Sequence, residues 1–472
     1  MRGLRTLAPV RLTDAKQAGS NQRVRRTAFV IGLLAVILEF AVSGNSLENL
    51  GIDYSSPGGN PLVKLHPGTY LAAIAAFLVL FVASPAGSGL MRLFRNTPAL
   101  AGFIGLTLFC AFYSIVNVGF SGAATYVESY LSAGLLAIAL EAGSERQKRS
   151  LAWWIIAFCL ISIVISIGEG AMQAHMIPLH IGDEPTKQAA DDADNFRGAG
   201  LFGHPLTAAL TTSMAMFMLL RMRMNGLLKA GLFTFMLVGL LSFGGRAALA
   251  TTLIILGIGA LVVLVRGVVR RDLSMGFVGA IVAAVVILPP LMLVLVTSTD
   301  IGARILTHMY MDDSADVRTM QWLVLDHLNL HDVLYGVPPD RLGILKYQIG
   351  LGSDTTDIEN FWLLMFLNLG IIGFVVFLIS LGMFIVHLGR TAGHPLGWML
   401  MLAAILIDST SNSLGRKSVD LLFMAACMIA MAGYPRAAPA KSLQRRAVTT
   451  LRRTSARLAA RPSHANLAGF KS

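Results

Sequence analysis

Charge is what this chain has least of. Asp, Glu, Lys and Arg make up 14% of its 472 residues, against 55% hydrophobic. A soluble globular domain carries about a quarter charged residues, so the shortage excludes that class and leaves a polytopic membrane protein. The mean hydropathy of +0.67 agrees. Cysteine is scarce too. Cys110, Cys159 and Cys427 each fall inside an apolar run with no metal-ligand spacing, which argues against a disulfide framework and against a zinc site. No internal repeat is visible, which counts against the transporter folds built from duplicated halves. No pair of aspartates has Mg²⁺ spacing, so neither a metal nor another cofactor is expected. A cleavable signal sequence is also lacking: the first apolar run follows a basic segment, 1–26, and is long enough to stay as an anchor.

What is present is a succession of apolar runs of roughly 17 to 25 residues, the length that crosses a bilayer as a helix. They fall near 27–44, 68–86, 98–117, 126–142, 151–168, 205–220, 228–243, 247–265, 274–296, 360–386, 394–410 and 418–434. The expected fold is therefore an all-α polytopic membrane protein of about twelve transmembrane helices. The net charge of +12 does not mark a nucleic-acid protein, because the basic residues sort by membrane side. Short connections such as Glu145–Arg149, Arg221–Arg223 and Arg266–Arg271 all fall on one side, which the positive-inside rule makes cytoplasmic. Both termini are then cytoplasmic. The basic segments 1–26 and 435–472 read as disordered, the latter lying on the anionic inner leaflet.

Two external loops stand out, at about 169–204 and 297–359, the second lying just before the tenth span. The first ends in Arg197-Gly-Ala-Gly-Leu-Phe-Gly-His-Pro205. The second holds an expected surface helix, Ser314 to Leu328, with Val317, Met320, Leu323, Val324 and Leu328 at helical spacing. A turn follows over Tyr335 to Asp340. From Asp357 the chain enters the next span through Glu359 and Asn360. On an unbroken helix Gly370 and Gly373 lie within roughly 40° of Glu359, giving one face an acid at its outer end and a glycine surface below.

Each of these residues has two readings. Glu359 and Asn360 cap a helix, or they sit at a site. Arg246, in a tight break between two apolar runs, either snorkels to the headgroups or binds an anion beside a helix N-terminus. Arg318 on the surface helix is either solvated or part of the site. Arg197 is flanked by glycines that either make an ordinary turn or let backbone approach a ligand, and His204 either starts a helix or acts as a base. Ser411 to Lys417 adds two external cations. Together these describe an outward-facing site of arginines and one acid, suited to a lipid-linked pyrophosphate whose sugar projects outward. An anion or sugar-phosphate exporter fits the same inventory.

Three motifs carry a resemblance. Arg197 to Pro205 is similar to an Arg...Gly-x-Phe-x-x-Pro segment entering a span. Ser242-Phe-Gly-Gly-Arg246-Ala-Ala resembles Thr-Gly-Ser-Arg-Gly-Ala. Glu359-Asn360, nine residues, then Gly370-Ile-Ile-Gly373 matches His-Asn/Ser/Gln, nine residues, Gly-x-x-Gly, with Glu in place of His. Arg318, with Trp322 four residues on, matches an upstream loop arginine. Over about 195–385 the chain resembles the bacterial O-antigen ligase and polymerase family of integral membrane glycosyltransferases. The resemblance implies an inner-membrane enzyme with a periplasmic site, acting on undecaprenyl-diphosphate-linked glycan without metal or nucleotide sugar. By position Glu359, Arg318 and Arg246 are the catalytic residues, while Arg197, Asn360 and His204 bind substrate. A repeat-unit flippase, a chain-length regulator and membrane lipids are the implied partners. Because Glu replaces the ligase histidine, the polymerase branch is expected, with ligation to lipid A or another acceptor as the alternative.

Overall fold

A computed structural model describes residues 12–52, 54, 64–84, 88–177, 180–181, 184–185, 196–270, 320–350, 358, 360–409 and 417–434. The apolar run 274–296 and the tail 435–472 lie outside these residues. Within them the chain is helical, apart from a two-residue antiparallel pairing of His180–Ile181 with Glu184–Pro185.

Every expected span among the described residues coincides with a helix. Helix α1 is Leu12–Ala41 and a short α2 is Gly44–Asn49. Helix α3, Pro67–Phe77, runs on through a widened turn, Leu78–Val82. Then come α4, Ser88–Asn96, α5, Pro98–Val118, and α6, Phe120–Thr125, which passes through a π segment, Tyr126–Leu131, into α7, Ser132–Glu141. Next are α8, Glu145–Met172, α9, Pro205–Arg221, α10, Gly226–Ser242, and α11, Arg246–Arg270. A loop region holds α12, Leu330–Tyr335, and α13, Pro339–Gln348. The last three are α14, Phe361–Ala392, α15, Pro395–Asp408, and α16, Asp420–Ala432. Among the described residues, five stretches are long and apolar enough to cross a bilayer: Pro98–Asn117, Gly122–Glu141, Glu145–Met172, Arg246–Val269 and Phe361–Ala392. Several other apolar helices, α15 and α16 among them, are shorter.

Local chemistry sets the ends. Ser144 and Gln147 form a capping box at the start of α8, and Asn360 caps α14 by accepting from the Leu363 N–H at 3.1 Å. Helix α16 is apolar on every side, and every residue from Asp420 to Met431 is buried. A helix apolar all round belongs in the middle of a bundle, and α7, α8, α9 and α14 all pack against α16. Small polar residues let long helices approach closely. Thr107 of α5 meets Ser380 of α14 at 3.1 Å, with Phe103 and Phe384 stacked at 4.1 Å beside them. At the far end of α16, Arg149 donates to the Gly433 carbonyl at 2.7 Å and Arg221 donates to that of Tyr434. These cations satisfy carbonyls that a helix C-terminus leaves open.

Three expectations change. Helix α1 reaches back to Leu12, so the segment 1–26 is helical from that residue on, because residues 12–26 continue the first span without a breaker. The surface helix expected over 314–328 is, in its described part, a 3₁₀ helix, Gln321–His327. Its face is also turned: Gln321 and Val324 are buried, whereas Met320 and Leu323 are exposed. Spacings of three fit a 3₁₀ repeat as well as an α-helix. The unbroken helix expected through Gly370 and Gly373 is interrupted. Gly370 has φ 59° and ψ −180°, which breaks α14 and changes its phase. Gly373, below the break, packs against Tyr113 and Leu369.

Candidate functional site

Helices α9, α11, α14 and α16 begin, and α5, α8, α10 and α15 end, at one side of the bundle, called here the Arg246 end. The loop carrying Arg197 is fastened there by Glu169, one turn from the end of α8. This carboxylate is buried, and its Oε2 accepts from the N–H groups of Ala199 at 2.8 Å and Gly200 at 2.9 Å. Its Oε1 accepts from Met176 N–H at 2.9 Å. A side chain at Gly198 or Gly200 would run into the Ser166 and Ser162 backbone, so the glycines serve the close approach of this loop to α8. His175 stacks on Phe196 with ring centroids 4.5 Å apart. Desolvation pulls the His175 imidazole below its ordinary value against the opposing pull of Glu169, so the ring is neutral at pH 7. Its proton affinity is higher in the unfolded chain, so acid below the ordinary histidine range weakens this packing.

The tight break before Arg246 is built by Gly244, whose φ of 65° ends α10, with Gly244 N–H donating to Leu241 at 2.9 Å and Gly245 N–H to Leu240 at 3.1 Å. Arg197 lies along this turn: its Cγ and Cδ are each 3.2 Å from where a Gly244 side chain would begin. The structure thus brings Arg197 to the backbone that carries Arg246, both half-buried. Three residues after the Arg197 loop touches α8, Gly203 turns with φ 68°, and its carbonyl accepts from Asn45 Nδ2 at 2.7 Å. His204 follows, exposed, at the head of α9, and its side chain makes no capping bond.

Asn360 stands at the head of α14, where its N–H donates to Gln321 Oε1 at 3.2 Å. It both caps α14 and ties that helix to the 3₁₀ helix of the loop. Below it a small cavity of about 20 Å³ opens between α9, α14, α15 and α16, with Leu210, Phe361 and Trp362 on its wall. His204 and Asn360 therefore head two helices that line one cavity. It is apolar except for Asp408 and Asp420, both buried. Arg318 and Glu359 lie outside the described residues.

Comparison of the chain with protein-family models, with curated proteins and with solved structures returns no match.

A second group of charges lies at the same end; of it the sequence reading singled out Lys417 alone and missed Glu39, His66 and Glu128. His66 caps α3: its Nδ1 accepts from Gly68 N–H at 3.0 Å, and its Nε2 donates to the Val42 carbonyl at 2.8 Å. The Oε2 of Glu39 lies 3.0 Å from the same Nδ1, a contact that attracts only with a proton between them. Glu128 accepts from His66 N–H at 3.3 Å through Oε2, while its Oε1 has no hydrogen-bond partner. Lys417 lies near enough to interact with Glu128 electrostatically. Its ammonium donates to the carbonyls of Tyr54 at 2.7 Å and Lys64 at 2.9 Å and sits 4.4 Å above the Tyr54 ring. Next to it, Ser418 N–H donates to Ser129 Oγ at 2.8 Å. Lone glutamates inside apolar runs were the available signal, since a charge there is costly without a partner. Lys417→Met is expected to lower the unfolding midpoint in detergent by several degrees, and Glu128→Gln added to it to restore part of the loss. Simply additive losses would show that the two charges do not act on each other.

Proposed function

We propose that this chain crosses the bilayer about twelve times with its N-terminus inside, and that its Arg246 end faces the periplasm and polymerises a surface polysaccharide. The glycan is carried on a polyprenyl diphosphate and passes to the sugar of an incoming lipid-linked repeat unit. The observation that carries this reading is Arg197 lying along the Gly244 turn, which brings this arginine to the backbone that starts α11 and carries Arg246. Guanidinium forks onto phosphate oxygens, and a helix N-terminus adds N–H donors for the same anion. In the reaction an acceptor hydroxyl attacks the anomeric carbon, and the bond to the diphosphate breaks with its electron pair. Arg197, Arg246 and Arg318 stabilise the charge gained by the leaving diphosphate, and Glu359 takes the hydroxyl proton.

Gene deletion followed by glycan electrophoresis tests the assignment. Loss of a polymerase leaves single repeat units, whereas loss of a ligase leaves long chains on the carrier lipid. Within a folded protein, Glu359→Gln is expected to abolish polymer, and Arg246→Lys to reduce it at least tenfold by losing the fork. Wild-type chain length in both would remove these residues from the site. A transporter is the second reading, favoured by the buried Glu39, His66 and Glu128 group, since titratable residues inside membrane helices mark ion and proton paths. Purified protein that extends lipid-linked repeats in detergent excludes it.

A further inference from the structure

The loop between residues 320 and 350 has a small core of its own. Val324, Val337, Leu345 and Ile349 pack with Leu363 and Leu367 of α14. Its outer surface, however, is not that of a soluble loop. Leu330 is 75% exposed, Ile344 60%, Tyr347 76% and Trp322 50%. Depth along α14 explains them. The helix has 32 residues, about 48 Å at 1.5 Å per residue, which exceeds the roughly 40 to 45 Å of a bilayer with its headgroups. Counting back from Arg390 in its last turn, the ~20 residues that fill the hydrocarbon layer end at about Gly370. The turn of α14 just above Gly370, which includes Leu367, thus crosses the headgroup layer.

The loop is fastened to that part. Val337 N–H donates to the Leu367 carbonyl at 2.6 Å, and Gly336 meets Gly370 backbone to backbone. From α5, Tyr113 Oη and Asn117 Nδ2 each donate to the Tyr335 carbonyl at 3.1 Å. Irregular backbone is tolerated at this depth only when protein satisfies it, and these bonds do so. The loop's buried acid, Asp332, is paired with Arg341 at 2.6 Å. Below the break, the exposed Ile371, Ile372 and Val375 continue the apolar surface down α14.

We propose that residues 320–350 form an interfacial element, seated in the headgroup layer of the leaflet at the Arg246 end, with Trp322, Leu330, Ile344 and Tyr347 as its lipid contacts. The partner is the lipid surface itself. Aromatic and aliphatic side chains at headgroup level are what such a surface accepts. The inference holds whether the protein is a glycosyltransferase or a transporter.

The test uses the full chain in nanodiscs of phosphatidylethanolamine and phosphatidylglycerol. The native cysteines are buried and leave the wild type as an unlabelled blank. Trp322→Cys, Leu330→Cys, Ile344→Cys and Tyr347→Cys are labelled singly with bimane, and Leu323→Cys replaces any variant whose unfolding midpoint departs from wild type. Lipids with a doxyl group at acyl carbon 5 are expected to quench the labels at least threefold more than iodide in the buffer or lipids labelled at carbon 16. Dominant iodide quenching would place the loop in water, and dominant carbon-16 quenching would place it in the bilayer centre. Either result overturns the proposal.

Discussion

Gly370→Val is expected to lose most of its folded yield, or to unfold at a midpoint lower by ten degrees or more in detergent. Two costs add. The backbone there has φ 59°, a region that a β-branched residue enters only with strain. A Cβ would also stand 2.5 Å from the Gly336 nitrogen, in backbone that cannot yield. Together they amount to about 3 kcal/mol or more. The control lies on the same helix: around Gly382 nothing comes within 4 Å of an added Cβ. Gly382→Ala should therefore leave stability unchanged or raise it slightly. Equal losses from both would show that the joint between Gly336 and Gly370 is not what holds the loop. The measurement is the unfolding midpoint in one detergent, followed by scattering.

Glu169→Ala is expected to free the Arg197 loop. The substitution leaves the N–H groups of Met176, Ala199 and Gly200 without their buried acceptor. Bonds to a charged group contribute about 1.5 to 3 kcal/mol each, and a segment that can turn to water recovers part of that. The expected loss is therefore about 3 kcal/mol, confined to the loop and the end of α8. Glu169→Gln keeps one oxygen, enough for Ala199 and Gly200, and should fall in between. Hydrogen exchange at Ala199 and Gly200 is the direct measure, with at least a hundredfold acceleration expected in the alanine variant. Unchanged exchange would mean that packing of the loop glycines on Ser162 and Ser166 suffices without the carboxylate. If Arg197 holds a diphosphate, the same variant also weakens substrate binding, because the arginine loses the fixed loop on which it is carried.

The positions of the described helices could be read from the apolar runs, and the cap at Asn360 from its residue type. Gly370 shows why more could not. Its place in the pattern was visible, but rotation by 100° per residue assumes a continuous helix, and the break comes from a loop about thirty residues earlier in sequence. Nothing local to Gly370 encodes that approach. Glu39, Glu128 and Glu169 announce their own cost in an apolar run, yet their partners, His66, Lys417 and the 199–200 backbone, lie too far along the chain for spacing to connect them. The arginine pair was half legible. Arg197 and Arg246 were each singled out, but only the fold lays one along the other's turn.

Helix α16 carries one more consequence. Among the described residues it is the last helix and the most completely enclosed, with every residue from Asp420 to Met431 shielded by helices made earlier. During synthesis those earlier helices enter the membrane with the seat for α16 empty, their inner faces turned to lipid, to one another or to the insertion machinery. The described bundle can close only after residue 432 has left the ribosome, so its assembly is governed by the arrival of α16. The cations that fasten that segment, Arg149 and Arg221, are already waiting at the depth where Gly433 and Tyr434 come to rest.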